Sequence, residues 1–150
     1  MSDLRELYQE VILDHNKNPR NFKKLESPTH HARGHNPLCG DKLELFLVIR
    51  DGIVDDIAFV GSGCAISTSS ASLMTQFLKG KTVAESRKYF ESFHDLVTGK
   101  LLTEQAMDDL GKLAVFAGVQ EFPARVKCAS LSWHTLINAL ESASVIAETE

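Results

Sequence analysis

One antiparallel hairpin set among helical stretches predicts an α+β chain. Lys42 to Arg50 alternates, with Leu43, Leu45, Leu47 and Ile49 on one face, the period of a half-buried strand. Asp51-Gly52 is the two-residue turn that hairpins favour, and Ile53 to Val60 is the returning strand. Around this pair, apolar residues recur at helical spacing once before it and four times after it.

The first helix is expected from about Leu4 to His15. Leu4, Leu7, Tyr8, Val11, Ile12 and His15 share a face, and Asp3 and Glu6 occupy the positions of a capping box. Asn16-Lys17-Asn18-Pro19 ends it, because a residue before proline is pushed out of helical geometry. Arg20 to Thr29 reads as a loop and His30 to His35 as a short extended segment. After the hairpin, Gly61-Ser62-Gly63-Cys64 switches strand to helix, with Ser62 or Gly63 as cap and Cys64 in the first turn. Ile66, Ser70, Leu73, Met74, Phe77 and Leu78 carry that helix to Gly80. A helix from about Val83 to Val97 follows Thr82, then a loop from Thr98 to Thr103. A glycine-weakened helix runs from about Glu104 to Gly118. Pro123 suits the first position of a final helix, whose buried stripe is Ala129, Trp133, Leu136, Ile137, Leu140 and Ala143.

With 150 residues the chain can bury a core as one domain, 1-150, without disulfides. A net charge of -4 with no Lys/Arg run argues against a nucleic-acid surface. No apolar window is long enough for a membrane, and the N-terminus lacks the basic and then apolar regions of a signal peptide. A cytoplasmic address is therefore expected. Three cysteines suit a reducing compartment, where thiols react or bind metal.

Those thiols converge on the segment Gly34 to Asp41. In extended backbone Cys39 and Asp41 project from one face, and Gly40 lets the chain bend between them. The Asp51-Gly52 turn pairs Arg50 with Ile53. The same register, continued outward, sets Cys39 opposite Cys64, where side chains lie about 4.5–5.5 Å apart. Cys128, in the early turns of the last helix, is the third thiol. Cys39, Asp41, Cys64 and Cys128 make a four-ligand set for tetrahedral zinc, or for iron–sulfur chemistry. Three buried hydrophobic thiols are the plain alternative, and a Cys39–Cys64 disulfide is a third, disfavoured in a reducing cytosol. Three thiolates and a carboxylate around a dication leave a formal charge that is costly to bury. Arg125 and Lys127, near Cys128, are placed to offset it; the alternative is that they are solvated helix-end charges, the preferred reading for Lys127 alone. The cluster His30, His31 and His35 lacks a common helical face and reads as surface histidines. His15 and His134 read as packing or capping residues, and His94 has no assigned place. The run Ser67 to Ser70 reads as small residues allowing close helix packing.

Leu7-Tyr8, Asp14-His15, Asn18-Pro19-Arg20-Asn21, Asn36-Pro37 with Cys39-Gly40-Asp41, Gly61 to Ser67, and Phe122 to Ala129 together resemble the NifU/IscU-like family of iron–sulfur cluster assembly proteins. The resemblance runs nearly end to end. It implies a small antiparallel sheet of about three strands packed against several helices, the SufE/NifU-like arrangement, and a metal site of the three cysteines plus the aspartate. Classical IscU scaffolds carry a histidine immediately before the third cysteine, where this chain has Lys127. The segment between Cys64 and Cys128 is also longer than in those scaffolds. Both features resemble the SufU branch.

That branch implies a zinc-bound protein that receives sulfur from a pyridoxal-phosphate cysteine desulfurase, as a sulfurtransferase. Cys39 is then the persulfide acceptor, Arg125 a residue that helps position partner or sulfur, and a downstream iron–sulfur scaffold the recipient. Two alternatives remain at this level: a scaffold that holds a transient [2Fe–2S] cluster on the same ligands, and a structural zinc module for protein contacts.

Overall fold

The computed structural model of the chain describes the backbone of residues 2–141 and 146–148 and the side chains of residues 9–141. The elements in chain order are α1 (Ser2–Lys17), β1 (His30–Asn36), β2 (Asp41–Arg50), β3 (Ile53–Ser62), α2 (Ala65–Leu78), α3 (Val83–Thr98) and α4 (Glu104–Leu110). A 3₁₀ segment (Gly111–Glu121), α5 (Pro123–Glu141) and β4 (Ile146–Glu148) complete them. The side chains of Asp3, Leu4, Glu6, Leu7 and Tyr8, with the expected capping box, lie outside the described residues, as does Ala143.

The sheet order is β3-β2-β1-β4. The first three strands form the expected antiparallel meander, and β4 adds a short parallel fourth strand beside β1. Asp51 and Gly52 both adopt positive φ, 53° and 75°, the conformation a type I′ hairpin turn requires. Arg50 pairs with Ile53 as the turn dictates. One pair further on, the register changes: Ile49 pairs with Val54 but Val48 pairs with Asp56, so Asp55 is the extra residue of a β-bulge. Every pair beyond it is displaced by one, and Lys42 faces Ser62. The expected Cys39–Cys64 pairing is therefore absent, and Cys39 stands in the β1–β2 turn rather than in a strand.

The helix expected over Glu104 to Gly118 is broken. Thr103 caps α4 by accepting the Ala106 N–H, and Gly111 ends it with φ 54° and ψ −125°, a conformation open to glycine alone at low cost. The chain continues as the 3₁₀ segment, which packs Leu113 and Phe116 into the core. α3 has a full capping box between Thr82 and Glu85.

The sheet and the helices close around α5, which packs on β1, β2, α2 and α3. From Cys128 to Leu136 every residue except His134 is buried, so the expected single stripe is in fact a nearly all-round contact surface. Ala129, Ser130 and Ser132 keep that surface narrow enough to enclose. A Cβ on Gly34 of β1 would overlap Thr135 Oγ1 and come within 3.1 Å of Leu131 Cδ1, so helix and strand meet at glycine distance. Phe93 of α3 stacks on Trp133 with ring centroids 4.8 Å apart.

His15 is buried on α1 with Nδ1 2.7 Å from Ser72 Oγ, which also accepts the Arg20 backbone N–H; it is the packing residue expected. His134 sits 6.0 Å from His94 and 5.4 Å from Phe90, ring to ring, which places His94 in the α3–α5 seam.

Gly34→Ala should push α5 off β1 and lower stability by about 1–3 kcal/mol, read as a reduced urea midpoint. Burial, and after it Arg20, lowers the pKa of His15; burial, and then His94, lowers that of His134. The unfolded chain binds protons at these rings at higher pH than the fold does. Stability should thus be full above about pH 6.5 and decline as pH falls through the depressed folded values. His15→Gln should lessen that acid decline in urea titrations at several pH values.

Candidate metal centre

Asn36 and Asp41 are paired residues closing a four-residue turn, Pro37 to Gly40. Inside it, the Gly40 N–H donates to the Asn36 carbonyl at 2.8 Å and the Leu38 N–H to Asn36 Oδ1 at 3.2 Å. Gly40 has φ 72°, and this left-handed step carries the chain from the exposed Cys39 to the buried Asp41. Cys39 and Asp41 do aim at one region, through a turn and not through the extended backbone expected of them.

Asp41 is 1% exposed. Its Oδ1 accepts the backbone N–H of Cys64 at 2.9 Å, and Oδ2 lies 3.9 Å from Cys64 Sγ. Gly63 makes room: a Cβ there would come 2.5 Å from Oδ1. Cys64 is itself the N-cap of α2, with φ −72° and ψ 169°, and its sulfur accepts the Ser67 N–H at 3.4 Å. It therefore sits one position earlier than expected, where free N–H groups and the helix dipole favour negative charge.

Cys128, near the start of α5, is buried. Its Sγ is 3.5 Å from Cys39 Sγ and accepts the side-chain amide of Asn36 at 3.6 Å. The donor atoms of Cys39, Asp41 and Cys128 all lie within 4.8 Å of one another. The sulfur of Cys64 adjoins this group through Asp41 Oδ2 but stands outside that mutual distance.

Burial, followed by the neighbouring Cys39 and Cys64 sulfurs and the Asp41 carboxylate, pushes the Cys128 thiol far above the ordinary thiol range. Asp41 forms no ion pair with a basic side chain among the described residues. A buried carboxylate with no basic partner among the described residues, beside a Cys128 thiol that burial holds protonated, is an arrangement that a thiophilic dication would relieve. Sulfur with one carboxylate oxygen is a donor set suited to zinc, and thiolates also suit iron–sulfur centres. The residues fit such an ion.

Arg125 is exposed, with its guanidinium 4.5 Å from the Phe122 ring centroid, and Lys127 is partly buried. Neither pairs with Asp41, so the expected charge offset does not arise from a direct contact. His31 Nε2 donates to Glu44 Oε2, 2.9 Å away, and its ring stacks on Phe46. His30 bonds Thr29 Oγ1. These histidines and His35 join no metal-competent group among the described residues. Ser70 donates to the Ala129 carbonyl at 2.6 Å, the close α2–α5 packing expected of the serine run. Asn36 is the site residue that residue-by-residue reading passes over. Its signal was an asparagine poised to bond its own turn, three residues before a cysteine.

A model of the NifU-like N-terminal domain matches residues 7–129. The chain belongs to this family. Among its curated relatives, the zinc-dependent sulfurtransferase SufU of Bacillus subtilis (strain 168) is 42% identical over 135 residues, covering 90% of each chain. The iron–sulfur cluster assembly scaffold protein IscU of Streptococcus pyogenes serotype M1 is 36% identical over 141 residues, 94% of this chain and 87% of that one. A crystal structure from Fervidobacterium islandicum AW-1, of a protein ascribed to iron–sulfur scaffolding for the SUF system, superposes with TM-score 0.83 at 32% identity. It covers 91% of this chain and 98% of its own. The α+β architecture is thus that of NifU-like, IscU and SufU proteins, and no described helix is long and apolar enough to cross a membrane.

In this NifU-like chain Gly63→Ala should displace Asp41 and break its bond to the Cys64 N–H. The loss should be about 1.5–3 kcal/mol, the size of a hydrogen bond to a charged group, measured by urea unfolding of metal-free protein.

Proposed function

We propose that this chain acts in cytoplasmic iron–sulfur cluster assembly as a zinc-dependent sulfur acceptor that takes persulfide sulfur from a cysteine desulfurase onto Cys39. The observation that carries the reading is the position of Cys39: its residue is exposed at a hairpin turn, yet its sulfur is 3.5 Å from that of the buried Cys128. A sulfur in that place can belong to a metal site and still meet a partner. SufU supports the reading by its name as a zinc-dependent sulfurtransferase, and IscU by its name supports the wider assignment to iron–sulfur cluster assembly.

Cys39, Asp41, Cys64 and Cys128 are the residues that would hold the ion. When bound, zinc supplies the positive charge that lets these sulfurs persist as thiolates near neutral pH. Transfer begins when the turn from Pro37 to Gly40 presents the Cys39 thiolate to the partner. The thiolate attacks the terminal sulfur of the partner's cysteine persulfide. A new S–S bond forms at Cys39 while the partner's S–S bond breaks, and the electron pair leaves with the partner's cysteine as a thiolate. The proton stays on the terminal sulfur, and no net oxidation occurs. Asp41, Cys64 and Cys128 remain in place throughout. Arg125, exposed beside Phe122, offers a cation to the incoming partner. The pyridoxal phosphate belongs to the desulfurase, and a downstream scaffold takes the sulfur from Cys39.

A second reading, a scaffold that builds and hands on a [2Fe–2S] cluster, is favoured by the IscU relatives and by the same three sulfurs. Lys127, standing where classical IscU scaffolds have histidine, weighs against it.

Cys39→Ala should return desulfurase turnover to the level of the desulfurase alone and leave no labelled sulfur on this chain. Undiminished stimulation would remove Cys39 from the role. Stripping metal with a chelator should abolish stimulation, and zinc should restore it. If anaerobic reconstitution instead yields a stable coloured cluster that transfers to an apo-acceptor, the scaffold reading replaces this one.

A further inference from the structure

Hydrogen bonds to the three sulfurs are unequal. Cys128 Sγ receives the side-chain N–H of Asn36 at 3.6 Å, and Cys64 Sγ receives the backbone N–H of Ser67 at 3.4 Å. Among the described residues, Cys39 Sγ receives no N–H at all. An N–H aimed at sulfur stabilises negative charge there and makes that sulfur a poorer nucleophile and a more persistent ligand. Asn36 is fully buried, and its two side-chain atoms do separate things. Nδ2 points at Cys128, while Oδ1 accepts the Leu38 N–H within the Cys39 turn.

We infer that Asn36 is a positioning residue whose amide N–H to Cys128 marks that sulfur as the retained ligand and leaves Cys39 as the one released. The inference rests on the proposed zinc site. It goes beyond it by assigning the choice among sulfurs to the carboxamide of a residue that is not itself a ligand. Because Oδ1 also fastens the Cys39 turn, the group that holds the third sulfur fixes the hinge on which the first one moves.

Asn36→Asp separates the two functions. It keeps an acceptor for the Leu38 N–H and removes the donor to Cys128. The zinc-loaded wild type and variant, first checked for metal content and thermal midpoint, are treated with limiting iodoacetamide, and alkylation at Cys39, Cys64 and Cys128 is followed by peptide mass mapping. In the wild type Cys39 should react first and Cys128 last. In Asn36→Asp the rate at Cys128 relative to Cys39 should rise by about tenfold or more, the scale of a hydrogen bond to a charged group. A residue that merely shapes the turn would leave Cys128 protected, and that result overturns the inference.

A second measurement needs no variant. In wild-type protein loaded with ¹¹³Cd, the Asn36 side-chain N–H should show scalar coupling to the metal through the Cys128 sulfur. Cadmium bound without that coupling would overturn the role of Asn36 and leave the metal site standing. A chain that retains neither zinc nor cadmium would overturn both.

Discussion

The buried carboxylate of Asp41 is the constraint on which the site depends. At 1% exposure it has traded water for one backbone N–H, that of Cys64, and for a neighbourhood of sulfur. This single hydrogen bond ties the start of β2 to the start of α2, elements separated by the whole β2–β3 hairpin. It requires Gly63 beside it, because any side chain there would occupy the space of the carboxylate. An ionised carboxylate so enclosed costs several kcal/mol unless a positive charge or further donors compensate. Among the described residues no basic side chain pairs with it, and a bound cation is the compensation that this donor set fits.

The β-bulge at Asp55 aligns this arrangement. Without the extra residue, the tight turn at Asp51-Gly52 would carry its register unbroken to the far end of the hairpin and set Cys39 across from Cys64. With it, Lys42 faces Ser62, so the next step outward brings Asp41 against Gly63. The carboxylate then meets the N–H of Cys64 two residues after the strand, as that residue turns to cap α2. One inserted residue thus exchanges a sulfur–sulfur pairing for a carboxylate-to-cap hydrogen bond.

Much of this was legible in the sequence where the signal is local. The alternation of Leu43, Leu45 and Leu47, the Asp51-Gly52 turn, the Thr82 cap and Pro123 at a helix start each depend on a few neighbouring residues, and each element stands where those residues put it. The bulge was not legible, because nothing in Val54-Asp55-Asp56 distinguishes a bulged strand from a regular one. The all-round burial of α5 was hidden for a similar reason. A periodic stripe reports one covering layer, whereas this helix has the sheet on one side and α2 and α3 on others. β4 escaped notice because three residues are too few for any period. Within the site, Cys39, Asp41, Cys64 and Cys128 were readable as ligand types, but the hairpin was read as bringing Cys64 to Cys39, whereas the sulfur 3.5 Å from Cys39 is that of Cys128, which α5 carries and no hairpin register places. The local pattern around Asn36 marks only the turn it bonds; its contact with Cys128 was missed because that partner is 92 residues away in sequence.

The three sulfurs are also carried on backbones of very different stiffness. Cys128 belongs to a nineteen-residue helix whose neighbours to Leu136 are almost all buried, so moving its sulfur by the length of a bond means shifting the centre of the core. Cys64 caps α2, and its displacement would break the bond from its N–H to Asp41 and the bond from Ser67 to its sulfur. Cys39 stands in a solvent-facing turn held inside by two hydrogen bonds, both to Asn36. Rotating this turn sacrifices little apolar burial, since Leu38 and Cys39 are already exposed. Local opening draws on the least buried segments, so of the three it is the first cysteine that can leave and return while the other two hold their positions.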